Sequence, residues 1–492
     1  MAEAMRILFV TSECTPWSKT GGLADVSAAL PAALRGLGSD VRVLMPAYSS
    51  VPLDGARSVS VINASPHLPA ARLLQAVLPN GVPAFLVDCP ALYKRGGGPY
   101  QNEQGADFPD NAQRFAQLCR VAVHMASDDE SAWRPQVVHC NDWQSGLVPA
   151  YFHFAPRSAT PTVLTIHNLA FQGMFPASTL DLVDLPRESF SINGAEFYGQ
   201  LSFLKAGLAY ADAITTVSPT YAIEIQRPES GMGLHGLLAY RRSVLSGILN
   251  GIDSDTWNPA HDPHIAVPYQ ADTLDNKGAN KRALEAHVGL PPSHKPLLAM
   301  VGRLTAQKGI DLVIDVAAAI ERIGGQLVVL GRGDTTLEES LTALAAAHPH
   351  AIKAIIDFSE PLAHLIEAGA DMFLMPSRFE PCGMNQMYSQ RYGTVPVVHA
   401  TGGLVDTVTE FALDTQAGTG FLFHAPDPAQ FLSAIQRAIA VYENKPAWRQ
   451  LQINGMRRDF SWGAGARCYI DIYQRLLSGA IPQPSIRARS DG

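Results

Sequence analysis

Two cations and a carboxylate mark where this chain can do chemistry. Gly302-Arg303-Leu304-Thr305-Ala306-Gln307-Lys308-Gly309 follows the apolar run Leu297–Val301 and precedes an apolar, helix-like stretch. Arg303 offers a planar fork of donors and Lys308 a mobile point charge, a pairing that suits a diphosphate. The plainer alternative is a solvated loop with two surface cations. Phe379-Glu380-Pro381-Cys382-Gly383 follows the run Asp371–Met375 and the turn Pro376–Arg378. A carboxylate set by a proline at a strand end can accept hydrogen bonds from sugar hydroxyls. Cys382 has no base beside it in sequence and reads as a structural thiol.

A glycine pair occurs near both ends. Lys19-Thr20-Gly21-Gly22-Leu23-Ala24-Asp25-Val26 and Thr401-Gly402-Gly403-Leu404-Val405-Asp406-Thr407-Val408 each follow an apolar run and open an amphipathic stretch. Lacking a Cβ, glycine lets the backbone approach a ligand. A following helix offers free N–H groups to an anion. The pattern predicts two glycine-lined helix starts that meet one anionic ligand. His167-Asn168 ends the run Thr162–Ile166; a lone histidine there is more often packed than catalytic. Asp142-Trp143 has two open readings, a helix cap with a core aromatic or a ligand contact.

Other chemistries fit poorly. Gly331-Arg332-Gly333-Asp334 begins like a dinucleotide fingerprint, but Thr336 replaces the third glycine and no acidic ribose partner follows. Neither a P-loop nor a G-x-S-x-G elbow occurs. The six cysteines form no C-x-x-C pair and the 15 histidines do not cluster at metal-ligand spacing. A formal charge of −8 argues against a broad nucleic-acid surface. No uninterrupted apolar run reaches the length of about 18 residues that spans a membrane. The first residues lack a secretory pattern, so the cytoplasm is the expected location.

These residues need a scaffold that holds loops at strand ends. Short apolar runs at Ile7–Val10, Val41–Met45, Ala84–Val87, Val137–His139, Thr162–Ile166 and Ala213–Val217 alternate with helix-like stretches. The pattern restarts at Leu297–Val301 and continues through Gln326–Leu330, Ala354–Ile356, Asp371–Met375 and Pro396–His399. Such alternation predicts an α/β class with parallel sheets covered on both faces, two doubly wound domains facing across a cleft. The expected domains are residues 1–257 and 269–462, with a hinge at 258–268 rich in Pro, His and Asp. A last helix within 463–481 is expected to cross back to the first domain, followed by a loose tail at 482–492.

Several motifs agree on one family. Ser12-Glu13-Cys14-Thr15-Pro16 with Lys19–Val26 resembles the N-terminal signature of bacterial glycogen synthases and plant starch synthases. So do Asn141-Asp142-Trp143, Thr165–Gly173, Ser218-Pro219-Thr220-Tyr221, Asn250-Gly251-Ile252-Asp253, the Arg303–Gly309 loop, Pro376–Gly383 and Gly402–Val408. They run in family order along nearly the whole chain.

The resemblance implies the GT-B glycosyltransferase fold. It also implies transfer of glucose from ADP-glucose to the non-reducing end of an α-1,4-glucan such as glycogen, with retention of configuration. No cofactor or metal is implied, and no nucleic-acid or membrane partner. Lys19 and the amides of Gly21 and Gly22 would approach the donor. Arg303 and Lys308 would hold the diphosphate, and Glu380 the sugar, with Cys382 and Gly383 lining its pocket. His167 would lie beside the glucosyl ring, with Asp142 and Asn250 as sugar or acceptor contacts. Thr401, Gly402 and Gly403 would meet phosphate, and Phe358 would stack on the base.

The chain departs from the family pattern at His235, Leu365 and His399. Tyr388 stands where many GT-B enzymes place a second glutamate. Rival readings are a transferase preferring UDP-glucose or short maltooligosaccharides, a silent glucan or nucleotide binder, and a pyridoxal phosphate-dependent phosphorylase.

Overall fold

The structure, a computed structural model, describes residues 4–128, 131, 133–155 and 160–480. Contacts divide the chain into two compact units. The first is Met1–Gly251 with the segment from Trp462 onward, and the second is Ile252–Ser461.

The first unit holds β1 (Arg6–Val10), β2 (Asp40–Pro46), β3 (Arg57–Ile62), β4 (Ala71–Val77), β5 (Pro83–Asp88), β6 (Val137–Asn141) and β7 (Thr162–Ile166). It continues with β8 (Met174–Pro176), β9 (Glu196–Phe197), β10 (Gln200–Ser202), β11 (Ala213–Thr216) and β12 (Leu245–Gly247). A nine-stranded sheet runs in the order β12-β11-β7-β6-β1-β2-β5-β4-β3. Its pairs are parallel except where β4 meets β5 and β3. β6 and β7 are buried throughout, as the central strands of a sheet covered on both faces must be. Helix Gly22–Gly36 follows β1 and buries Leu23, Val26, Leu30 and Leu34, one face at helical spacing.

The second unit holds β13 (Leu297–Val301), β14 (Gln326–Leu330), β15 (Ile352–Ile355), β16 (Met372–Met375), β17 (Val395–His399) and β18 (Phe421–Phe423). They form one parallel sheet in the order β15-β14-β13-β16-β17-β18. Helix Ile310–Arg322 after β13 buries Ile310, Val313, Val316, Ala317 and Ile320.

Three expectations change. The antiparallel edge β3–β4 and the small sheet β8-β10-β9 lie outside the predicted alternation. β3 shows why: most of its residues are exposed, so no apolar period marks it. The segment 258–268, expected as a hinge, falls by its contacts within the second unit. Asp262 Oδ2 there accepts from His364 Nδ1 at 2.7 Å and Tyr392 OH at 2.5 Å. Asp262 is buried there, while His261 and His264 are exposed. The boundary falls instead after Gly251, so Trp257 belongs to the second unit, with its ring stacked on His364 at 3.8 Å and on Tyr388 at 3.9 Å.

Helix Gly463–Leu477 lies in the first unit, where Tyr473 OH meets His139 Nδ1 at 2.7 Å. The tail at 482–492 lies outside the described residues. Among the described residues, no helix is long and apolar enough to cross a membrane.

Candidate active site

In the first unit most candidate residues stand beyond the carboxyl ends of β1, β6 and β7, three neighbours in the sheet, while Asn250 follows β12. This is where open parallel sheets bind ligands. Asn141 ends β6 and links all three. Its Nδ2 donates to Val10 O at 3.0 Å, and its Oδ1 accepts from His167 Nε2 at 2.9 Å. Because the amide nitrogen is committed to carbonyls, this network assigns the imidazole proton to Nε2 and the lone pair to Nδ1. Burial lowers the His167 pKa to about 3, so the ring is neutral.

Asp142 has φ 54° and ψ −170°, a region that non-glycine residues rarely adopt. Its N–H donates to Thr165 O at 2.9 Å, and its Oδ1 accepts from His167 N at 2.7 Å. Of the two readings, a cap for its own helix is not realised: Asp142 makes no side-chain cap there. It holds the β7 loop instead. Burial pushes its carboxyl up to about 7, against the opposing pull of the two amides.

The loop after β1 is organised by Glu13, a residue the sequence reading passed over. Glu13 is buried, and it accepts from Thr20 N at 2.5 Å, Thr20 Oγ1 at 2.6 Å and Tyr100 OH. A lone carboxylate just past the apolar run Ile7–Val10, in the loop leading to Gly21, was the available signal. Lys19 Nζ reaches Asp25 Oδ1 at 2.9 Å. Gly21 and Gly22 are exposed, and a Cβ on Gly21 would meet nothing within 4 Å. Asn250 is buried with Oδ1 lacking a partner among the described residues, an unspent acceptor.

In the second unit Lys308 Nζ lies 2.6 Å from Glu380 Oε2, and Ser377 Oγ donates to the same oxygen at 3.0 Å. The two loops are joined by their backbones: Arg378 N donates to Gln307 O at 2.8 Å. A Cβ on Gly309 would stand 2.2 Å from Pro376 O, so only glycine permits this approach. Arg378 also pairs with Asp311 through Nη2 at 2.6 Å. Below the loop, Gln386 Nε2 donates to the carbonyls of Cys382 and Gly383, both at 3.1 Å. Cys382 is buried and forms no disulfide among the described residues. Arg303 and Phe358 are exposed, Phe358 by 70%.

The second glycine pair packs against protein. A Cβ on Gly402 would lie 1.9 Å from Glu380 O, and one on Gly403 would lie 2.2 Å from Cys382 O. The Gly403 N–H donates to Glu380 O at 3.1 Å, and the Thr401 N–H to His399 O at 2.9 Å. These glycines seat the Glu380 loop. The departures also have places. His399 Nδ1 faces Ser377 O at 2.7 Å, behind the serine that holds Glu380. Leu365 packs into the core, and His235 Nδ1 is buried without a partner among the described residues.

Comparison with known proteins fits this arrangement. Residues 6–240 match the starch synthase catalytic domain model, and residues 282–452 match glycosyl transferases group 1. The chain is 52% identical over 486 residues to a glycogen synthase of Aromatoleum aromaticum, covering 97% of this chain and 98% of that protein. It is 52% identical over 483 residues to a glycogen synthase of Nitrosospira multiformis, covering 96% and 97%. Among solved structures it resembles the catalytic domain of starch synthase IV from Arabidopsis thaliana bound to ADP and acarbose. That match has a TM-score of 0.86 and 30% identity, covering 96% of this chain and all of that one. Two doubly wound units, their loops at strand ends and full-length identity of this order lead to one assignment: the chain belongs to the glycogen and starch synthase family of GT-B hexosyltransferases.

Proposed function

We propose that this protein transfers glucose from ADP-glucose to the non-reducing end of an α-1,4-glucan, elongating glycogen in the cytoplasm with retention of configuration. The observation that carries this reading is the Lys308–Glu380 pair at the carboxyl end of a parallel sheet, a cation and a buried carboxylate within 2.6 Å. Glu380 receives sugar hydroxyls, while Arg303 and Lys308 hold the diphosphate. Phe358, exposed beyond β15, stacks on the base. In the first unit His167, Asp142 and Asn250 are sugar or acceptor contacts. Lys19 and the exposed amides of Gly21 and Gly22 keep the anion-binding role that the family resemblance implies. Thr401 keeps a phosphate contact, and Gly402 and Gly403 act through the loop they seat.

The chemistry follows from charge. The bond from glucose C1 to the β-phosphate oxygen breaks, the acceptor O4 bonds to C1 on the same face, and its proton passes to the departing phosphate. Positive charge grows on the sugar and negative charge on the nucleotide. Preorganised cations at the phosphate stabilise that separation, and a neutral His167 adds no opposing positive charge beside the sugar.

The test is incubation with ADP-glucose or UDP-glucose plus glycogen, following nucleotide release and glucan length. Elongation with ADP-glucose supports the reading; elongation with UDP-glucose alone overturns the donor assignment, and none with either overturns the activity. A glucosyl-enzyme adduct trapped on a carboxylate would overturn the same-face mechanism.

A further inference from the structure

The glycine-rich segment Gly331-Arg332-Gly333-Asp334, a poor dinucleotide fingerprint, extends β14 beside the Arg303 loop. Register shows how. Val301 pairs with Leu330 at the end of the ladder, and Leu304 pairs with Gly333 in an isolated parallel bridge. Leu304 N donates to Arg332 O at 2.9 Å. The offset is the same on both sides, so Arg303 stands opposite Arg332 on adjacent extended segments. Both side chains are exposed, while Leu304 turns into the core.

The flanking glycines are required. A Cβ on Gly331 would lie 1.9 Å from Gly302 O, and one on Gly333 would lie 2.2 Å from Leu304 O. The only side chain that Gly331–Gly333 offers to solvent is therefore Arg332. Beside it, Asp334 accepts from Thr336 N at 2.9 Å, and Glu338 accepts from Gly333 N at 2.7 Å.

The sheet order places this pair in a series. Along β15-β14-β13-β16 the carboxyl ends lead to Phe358, Arg332, Arg303 and Glu380 in turn. Three intervals of about 4.8 Å give a line of about 14 Å. That line reads aromatic, cation, cation, carboxylate: a base, two phosphates and a hexose laid end to end.

We propose that Arg332 binds the phosphate nearest the nucleoside, leaving the sugar-side phosphate to Arg303 and Lys308. This rests on the donor-site reading above and names a further binding residue within it.

Isothermal titration of the full chain with ADP, AMP and adenosine tests it, comparing wild type, Arg332→Gln and Arg332→Lys. Arg332 is exposed, so the melting temperatures should agree. Arg332→Gln is expected to weaken ADP and AMP by about tenfold or more, the worth of one charged hydrogen bond. Adenosine should bind unchanged, and Arg332→Lys should recover part of the loss. Equal ADP affinity in wild type and Arg332→Gln overturns the inference alone. An adenosine loss as large as that of AMP makes Arg332 a base contact and overturns the phosphate assignment. A wild type that does not bind ADP overturns the donor-site reading together with this one.

Discussion

Lys308 Nζ and Glu380 Oε2 lie 2.6 Å apart on two loops joined through Arg378 N and Gln307 O. The pair holds a mobile ammonium at one place before any donor arrives. Preorganisation of this kind lowers the cost of meeting charge as it develops on a leaving group.

Lys308→Ala should therefore lower kcat by about 10²–10³, corresponding to about 2.7–4 kcal/mol of barrier. Glu380→Gln should also lower kcat, and the double variant should fall short of the summed effects, because each residue positions the other. Steady-state kinetics with ADP-glucose and glycogen read this out. A wild-type rate for Lys308→Ala would remove its leaving-group role.

The glycine pairs should respond differently to one methyl group. Gly402→Ala drives a Cβ toward Glu380 O and adds strain at φ +48°. It should lower the melting temperature and depress activity through the Glu380 loop. Gly21→Ala meets open space at an extended backbone, so its melting temperature should stay near wild type. Calorimetry of the two variants compares them directly.

Asp142 gives a pH signature. Burial raises its folded pKa to about 7, above its unfolded value. A raised folded pKa favours the folded state at low pH, and that advantage is lost as pH rises from about 4 through about 7. Asp142→Asn keeps the Oδ1 acceptor and cannot titrate. Its stability, measured by denaturant titration, should lack this pH-dependent loss. A curve parallel to wild type would assign the slope elsewhere.

A buried hydrogen bond joins the last helix to β6. Tyr473→Phe leaves His139 Nδ1 without its partner, and an unmet buried polar group costs about 1–3 kcal/mol. Urea unfolding should show that loss.

His167 and Asn141 show how far the chain could be read in one dimension. The strand preceding each was visible as a short apolar run, because central strands of a covered parallel sheet must be apolar along their length. That alone gave the α/β class and put the Arg303, Glu380 and His167 segments at strand ends. The edge hairpin β3–β4 escaped because half-exposed strands carry a weak pattern. Asp262 shows a further limit, because composition does not distinguish a solvated carboxylate from one paired with buried partners.

What the sequence determined by itself was periodicity, glycine placement and the inventory of charges, all local properties of the chain. Tertiary structure decided the rest. It set which β-end each residue joins, which tautomer Asn141 imposes on His167, and that Gly402 and Gly403 make room for the Glu380 loop. The reason is physical: a hydrogen-bond partner or a steric neighbour is chosen by distance in space. Glu380 and Lys308 lie far apart along the chain, and only the pairing of parallel strands brings them into contact.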